Sequence, residues 1–180
     1  MLYHLSDSPD IKRFEPRVPP SASSGVREPV VWAVDERLLH NYLLPRDCPR
    51  VTFYATPKSD PADVERLMGG GAPFVVAIEA AWMPALRAAT LYQYALPPET
   101  FAPVDEGAGY YVSRVGVTPL AVTVIDDLLT ALLARGVELR VLPSLWPLRE
   151  RVIASSLQFS LIRMRNAQPP AAGYDAWHPL

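Results

Sequence analysis

A histidine and a serine near the start of the chain, His4 and Ser6, are the first residues whose types and spacing suit chemistry. Leu2 to Leu5 is predicted as a strand, and Ser6 follows on the face of His4 if the strand continues. The loop that follows carries Arg17, whose planar guanidinium can donate two hydrogen bonds to a phosphate. Together these groups could bind a ribose and a phosphate, although His4 taken alone is better explained as a half-buried, hydrogen-bonded side chain.

A second group of polar residues forms the predicted turn Arg46 to Arg50. Either Arg46 or Arg50 could face an anion while Asp47 orients it, or these residues could form a surface turn with a local ion pair that contributes little. Cys48 lies in the same turn, and its use as a nucleophile requires a histidine close in space, either His4 or His40.

Aromatic residues on predicted strands, Trp32 and Tyr94 among them, offer faces on which a planar ring could stack. Aromatic side chains on strands also pack against cross-strand neighbours in the core, which is the simpler interpretation. The acidic residues Glu99, Asp105 and Glu106 follow in the same region, and any of them could supply a carboxylate. Loop carboxylates are exposed to solvent by default.

Composition excludes several classes of protein. The chain of 180 residues has 17 Lys and Arg against 19 Asp and Glu, a net charge of −2, so we expect neither nucleic-acid binding nor attraction to anionic membranes. A single cysteine and the lack of zinc-site spacing predict no disulfide and no metal site, and a cytoplasmic location. The longest apolar stretch, Val115 to Leu133, is interrupted by Pro119 and two aspartates, which argues against a membrane span.

Hydrophobic patterns and turn residues predict many strands and a few short helices. We expect strands at Leu2–Leu5, Val30–Val34, Val51–Ala55, Phe74–Ile78, Leu91–Leu96, Tyr110–Val115, Leu120–Ile125, Glu138–Leu142 and Leu157–Met164. Short helices are predicted after the capping residues Asp35, Asp60, Asp126 and Ser144. This pattern is typical of a mixed α+β protein: a single domain over residues 1–167 with a mixed, partly antiparallel sheet, followed by a Pro/Ala-rich tail over 168–180.

The chain resembles a family of small bacterial proteins known as a domain of unknown function. The residues that carry this resemblance are Leu2-Tyr-His-Leu-Ser6, Pro9-Asp-Ile11, Phe14-Glu-Pro-Arg17, Val31-Trp-Ala-Val-Asp35, Arg46-Asp-Cys-Pro49, Leu142-Pro-Ser-Leu145 and Arg163-Met-Arg-Asn-Ala167. The likeness covers nearly the whole chain and implies no activity.

A shorter stretch, Tyr3-His-Leu-Ser6, is similar to the first strand of ADP-ribosyltransferase-like folds, which include RNA 2′-phosphotransferases and related toxin domains. In those folds a strand and a helix carrying a tyrosine come next. The resemblance implies that His4 contacts the ribose of NAD. It also implies that Tyr42 or Tyr94 lies near the nicotinamide, and that Glu106 is the late acidic residue.

Our leading hypothesis from the sequence is a pocket lined by His4, Ser6, Arg17, Arg46 and an aromatic side chain. We expect it to bind a nucleotide-like or phosphorylated ligand, with NAD as the candidate cofactor and ADP-ribosyl transfer as the candidate reaction. The alternative is a non-enzymatic module that binds a partner protein or assembles into a homo-oligomer through its aromatic, proline-rich surface. A third hypothesis is a hydrolase that uses Cys48.

Overall fold

A computed structural model describes residues 1–19 and 25–170 of the chain. Contacts group the chain into two compact units, each built from two separate stretches. The first unit contains Met1–Leu43 and Thr90–Asp126, and the second contains Leu44–Ala89 and the chain from Asp127 onward. Each unit has a β-sheet of its own, and parallel and antiparallel strand pairs both occur, so the predicted mixed α+β class is confirmed.

The elements follow one another with short connections. In chain order they are β1 (Leu2–Ser6), β2 (Val31–Asp35), β3 (Arg50–Tyr54), α1 (Pro61–Met68), β4 (Phe74–Glu79), α2 (Met83–Ala88), β5 (Leu91–Leu96), β6 (Phe101–Asp105), β7 (Tyr110–Ser113), β8 (Ala121–Ile125), α3 (Leu128–Leu133), β9 (Val137–Leu142), α4 (Trp146–Ile153) and β10 (Gln158–Ile162). Single 3₁₀ turns occur at Leu39–Tyr42, Ala80–Trp82 and Met164–Asn166.

The sheet of the first unit has six strands in the order β6-β7-β2-β1-β5-β8, with antiparallel neighbours throughout. The strand β1 pairs with β5 at every position from Leu2 to Ser6. Its pairing with β2 covers only Leu2 and Tyr3. Beyond Tyr3, therefore, the two central strands β1 and β2 part from each other.

One face of this sheet carries the core of the first unit. The buried residues of this core are Leu2, Phe14, Val31, Ala33, Tyr94, Leu96 and Val117. Two of them come from outside the strands, Phe14 and Val117, and they pair with each other through main-chain hydrogen bonds of 2.8 Å. The segment after β1 is thereby held across the face that carries the side chain of His4.

The sheet of the second unit has the order β10-β3-β4-β9, in which β4 and β9 are parallel and the other pairs are antiparallel. The inner strand β4 is buried from Val75 to Glu79, which explains its uninterrupted apolar run. A core packs around it, made of Val51, Phe53, Leu67, Met68, Val75, Ala77, Leu145, Leu148, Val152 and Leu157.

The predicted starts of three helices differ from the observed ones. At α4 the N-cap is Leu145 rather than the predicted Ser144. Oδ1 of Asp35 accepts a hydrogen bond of 2.9 Å from the Leu38 amide, as the side chain of an N-cap residue does. The 3₁₀ turn Leu39–Tyr42 follows in place of the predicted α-helix. The chain reaches Pro45 too soon for a stable α-helix to propagate. At α3 the cap is Asp127 rather than Asp126, since the Asp127 carboxylate accepts from the Thr130 amide.

Within α1, Asp63 joins the helix to the turn before β10. Its Oδ2 accepts hydrogen bonds from the Ser156 amide at 2.7 Å and from the Ser156 hydroxyl at 2.8 Å. These bonds, led by the one from the amide and assisted by Arg66, lower the pKa of the Asp63 carboxyl to about 2. The ionised form is therefore the form that the fold prefers.

We predict that Asp63→Asn lowers the melting temperature at neutral pH and that its difference from the wild type narrows on acidification. Because the pKa of Asp63 in the folded protein lies below its ordinary value of 3.8, the contribution of the ionised carboxylate to stability is complete above that value. It is lost as the pH falls through about 2. Thermal unfolding followed by circular dichroism across this range tests it. The exposed Glu65 on the same helix supplies the control Glu65→Gln. A difference between wild type and Asp63→Asn that is constant with pH would contradict the prediction.

Candidate functional site

The first candidate site lies where β1 and β2 part, beside His4. The His4 ring nitrogen Nδ1 lies 2.9 Å from the main-chain oxygen of Trp32 on β2. A carbonyl oxygen only accepts hydrogen bonds, so Nδ1 carries a proton and donates it. In the neutral ring this assigns Nε2 the role of acceptor, which makes His4 suited to receive a hydrogen bond from a hydroxyl group.

The surroundings of His4 on its face of the sheet are aromatic and polar. The imidazole lies 4.8 Å from the ring of Phe14, at an interplanar angle of 51°. Ser6 follows on the same face by strand alternation, is buried, and accepts a hydrogen bond of 3.1 Å from the Ser8 amide through Oγ. The structure thus places His4 and Ser6 side by side on one face of β1.

Arg17 lies next to the chain that leads into β2. Its amide and carbonyl exchange hydrogen bonds of 3.0 Å with Val30, directly before β2 begins. The strand alignment places Val30 at the same end of the sheet as the opening between β1 and β2. The main chain of Arg17 is therefore fixed at that end, while its side chain is exposed.

Tyr94 lies on β5 opposite His4, on the same face of the sheet, and holds the chain segment beside the site. Its side chain is 1% exposed, and its ring contacts Phe14 edge-on at 5.2 Å. The hydroxyl donates to the Ser8 carbonyl at 2.7 Å and accepts from the Ile11 amide at 3.1 Å. Tyr94 thereby fixes the segment that follows β1, and its ring could meet a ligand only if that segment moved.

We predict that Tyr94→Phe destabilises the protein by about 1–3 kcal/mol, because the hydroxyl of this buried side chain is the partner of two part-buried main-chain groups. Amide exchange should accelerate at Ser8 to Ile11, because the hydroxyl that bonds both ends is gone. Urea unfolding and hydrogen exchange measure the two effects. Tyr92→Phe, at a half-buried position on the same face of β5, is the matched control. An equal effect of the two substitutions would count against this role of Tyr94.

The aromatic residues Trp32 and Tyr42 lie on the other side of the sheet. Strand alternation directs the Trp32 side chain away from the face of His4, where its ring meets Tyr110 edge-on at 5.9 Å. Tyr42, from the 3₁₀ turn, donates a hydrogen bond of 2.5 Å to the Tyr110 hydroxyl. The Trp32 carbonyl therefore accepts the hydrogen bond from His4. The Trp32 ring belongs to an aromatic cluster with Tyr42 and Tyr110 on the opposite face of the sheet.

Glu106 occupies the turn between β6 and β7. Its carbonyl accepts hydrogen bonds from Arg37 at 3.2 Å and from the Gly109 amide at 3.3 Å, and its side chain is exposed. The same turn bonds to Asp35, at the end of β2 that remains paired with β1. The structure therefore sets Glu106 at the opposite end of β2 from the opening beside His4.

Arg46 belongs to the second unit, where its turn is tied to the 3₁₀ turn after β10. Arg163 donates to the Arg46 carbonyl at 3.3 Å, and Asn166 donates to the Asp47 carbonyl at 2.8 Å. Arg163 adopts a left-handed conformation with φ of 56° to begin that turn. The guanidinium of Arg46 is exposed, so an anion could reach it from solvent.

Cys48 lies in the interior of the second unit with 0% exposure. Burial raises the pKa of its thiol to about 12; the charge of Arg50 opposes this change and that of Glu79 reinforces it. The thiol is therefore protonated at neutral pH, whereas a nucleophilic cysteine must supply a thiolate. This geometry argues against a hydrolase that uses Cys48.

We predict that the native protein does not react with dithionitrobenzoate at neutral pH and that unfolding exposes its one cysteine to the reagent. Absorbance of the released thionitrobenzoate measures both states. Glu65→Cys, which places a second thiol at an exposed position of α1, should react in the native state and serves as the positive control. Rapid labelling of folded wild type would refute the assignment of Cys48 as an inert core thiol.

Comparison with known proteins gives one match. Residues 3–167 match a family described as "Family of unknown function (DUF6886)". The chain belongs to this family. The matched range spans both units of the DUF6886 chain and includes His4, Arg17 and Arg46. No curated protein and no solved structure matches the chain significantly.

Sequence reasoning missed a buried carboxylate in the DUF6886 chain, that of Glu79 at the end of β4. Glu79 is 1% exposed, and its two oxygens accept from the Gln168 amide at 3.2 and 3.1 Å. The indole of Trp146 donates to the Gln168 carbonyl at 2.7 Å. The first residue of the predicted tail is thus bound, and residues 171–180 lie outside the described part of the chain. The available signal was an acidic residue directly after an apolar strand.

Within residues 1–19 and 25–170, no helix is both long enough and apolar enough to cross a bilayer. No group of three or more His, Cys, Asp or Glu side chains in the same ranges could hold a metal ion.

Proposed function

We propose that the first unit binds a nucleotide-like ligand, with a ribose and a phosphate, at the opening between β1 and β2. The observation that carries the proposal is the parting of these strands after Tyr3, beside a histidine whose Nδ1 is already bonded to Trp32. Strand edges that part within a sheet present main-chain donors and acceptors without further rearrangement. Clefts that combine such groups with a few fixed polar side chains are typical of small-molecule sites.

Each residue of the proposed site has a role that its chemistry suits. His4 accepts a hydrogen bond from a ribose hydroxyl through Nε2, the acceptor in the tautomer set by Trp32. The Ser6 hydroxyl, whose oxygen accepts from the Ser8 amide, donates its hydrogen to the ligand. Arg17, exposed at the same end of the sheet, binds phosphate oxygens.

The resemblance of Tyr3-His-Leu-Ser6 to ADP-ribosyltransferase-like folds favours ADP-ribose or NAD as the ligand. Transfer of an ADP-ribosyl group also needs a negative charge that stabilises the oxocarbenium-like transition state. Glu106 is the candidate from the sequence, and its turn lies at the far end of β2. We therefore propose ligand binding at this opening, with ADP-ribosyl transfer only where a carboxylate reaches the bound ribose.

Isothermal titration of the full chain with NAD, ADP-ribose, AMP and inorganic phosphate tests the proposal. We expect binding of ADP-ribose and NAD to exceed that of phosphate alone, because the ribose adds its contacts to His4 and Ser6. Arg17→Gln should weaken ADP-ribose binding by about tenfold or more, since hydrogen bonds to charged groups contribute about 1.5–3 kcal/mol. No heat and no thermal shift with any of the four ligands at millimolar concentration would overturn the proposal.

A matched variant separates a site effect from a general loss of positive charge. Arg87 is an exposed arginine on α2 in the second unit, so Arg87→Gln makes the same change of charge away from the proposed site. ADP-ribose should bind this variant as it binds wild type. If Arg87→Gln and Arg17→Gln weaken binding equally, the contribution is not specific to the opening between β1 and β2.

A further inference from the structure

The strand β8 forms one edge of the six-stranded sheet and is exposed over most of its length. Val122 and Val124 lie on one of its faces, and Leu120 directly precedes the strand; these three apolar side chains have exposures of 48%, 57% and 62%. An exposed apolar edge strand is a ready template for pairing with another strand, and natural proteins protect such edges unless they use them. This exposed apolar surface therefore calls for a functional explanation.

The opposite edge of the same sheet carries the protection that β8 lacks. The edge strand β6 has Pro103 at its centre, an irregularity of register between Pro103 and Asp105, and a charge at Asp105. Proline, bulges and charged side chains are the usual devices that prevent edge-to-edge association. From Ala121 to Ile125, β8 contains none of them.

We propose that β8 is a self-association surface, on which a second copy of this chain adds its own β8 in antiparallel orientation about a two-fold axis at Thr123. In that register Val122 of each copy faces Val124 of the other, and Ala121 faces Ile125. The exposed valines of the two copies join into one apolar surface across the pair. Cross-strand pairs of β-branched side chains stabilise antiparallel strands of this kind.

The charge pattern favours a second copy as the partner. A two-fold axis brings each residue near it close to its own symmetry mate, so any charge there meets a like charge. The chain from Val115 to Ile125 contains no charged residue. This neutral stretch has no side chain that could form an ion pair with a charged peptide, whereas it can pair with its own copy without repulsion between like charges. One strand pair is smaller than the roughly 1,200–2,000 Å² buried by stable interfaces, so the dimer should dissociate on dilution.

Sedimentation equilibrium over a range of protein concentrations is the first test. We expect wild type to show a reversible monomer–dimer equilibrium and Val124→Lys to remain monomeric, because the lysine would face Val122 of the second copy. Val104→Lys makes the same change at a position of β6 that is 41% exposed, and it should dimerise as wild type does. A monomeric wild type at submillimolar concentration, or a Val124→Lys that dimerises normally, would overturn the proposal.

A cross-linking experiment tests the register. Thr123→Cys places two thiols opposite each other on the proposed axis, within the range of about 4.4–6.8 Å between Cα atoms that a disulfide spans. Ala121→Cys on the same strand places its two thiols four residues out of register, beyond that range. We expect mild oxidation with oxidised glutathione to produce a covalent dimer of Thr123→Cys only, since the native Cys48 is buried. Equal cross-linking of both variants would rule out the Thr123 axis.

Discussion

The first unit depends on how β1 divides its main-chain hydrogen bonds between two neighbours. Pairing with β5 along its whole length holds β1 in place, so β2 can leave after Tyr3 without releasing it. The Trp32 carbonyl then accepts from His4 Nδ1. His4 thus donates to a main-chain oxygen that would be costly to bury alone, and this bond fixes the orientation of the ring with a proton on Nδ1. The same hydrogen bond therefore stabilises the fold and orients the His4 ring at the proposed site.

In the second unit, two buried charged side chains bind main-chain groups of segments that lie outside the helices and strands. Arg50, 2% exposed, donates to the Cys48 carbonyl at 2.8 Å, and Glu79 binds the Gln168 amide. Burying a charge is costly unless it is hydrogen-bonded. Main-chain groups therefore replace the water that would otherwise solvate Arg50 and Glu79. The turn before β3 and the chain after β10 are consequently each bound to a buried side chain of the second unit.

Local patterns predicted the parts of this protein that local physics determines. The period of two put His4 and Ser6 on one face, and the pair Asp60-Pro61 begins α1 as expected, with the Asp60 carboxylate accepting from the Ala62 amide. The strand β6 was missed because Pro103 is unusual in a strand interior, and only its position at the edge permits it. The bond from Tyr94 to Ser8 spans 86 residues, so no local pattern could reveal it. The parting of β1 from β2 likewise depends on strand order, which spacing does not encode.

The discontinuous composition of the two units has a consequence for synthesis. The strand β1 leaves the ribosome first, yet its full-length partner β5 begins only at Leu91, after the chain has passed through half of the second unit. The outer strands of the second sheet, β9 and β10, begin only at Val137 and Gln158. Neither sheet can close until most of the chain has been made, and closing such long loops slows folding. The nascent protein therefore carries unpaired strand edges for most of its translation, when accidental pairing with other chains is most harmful.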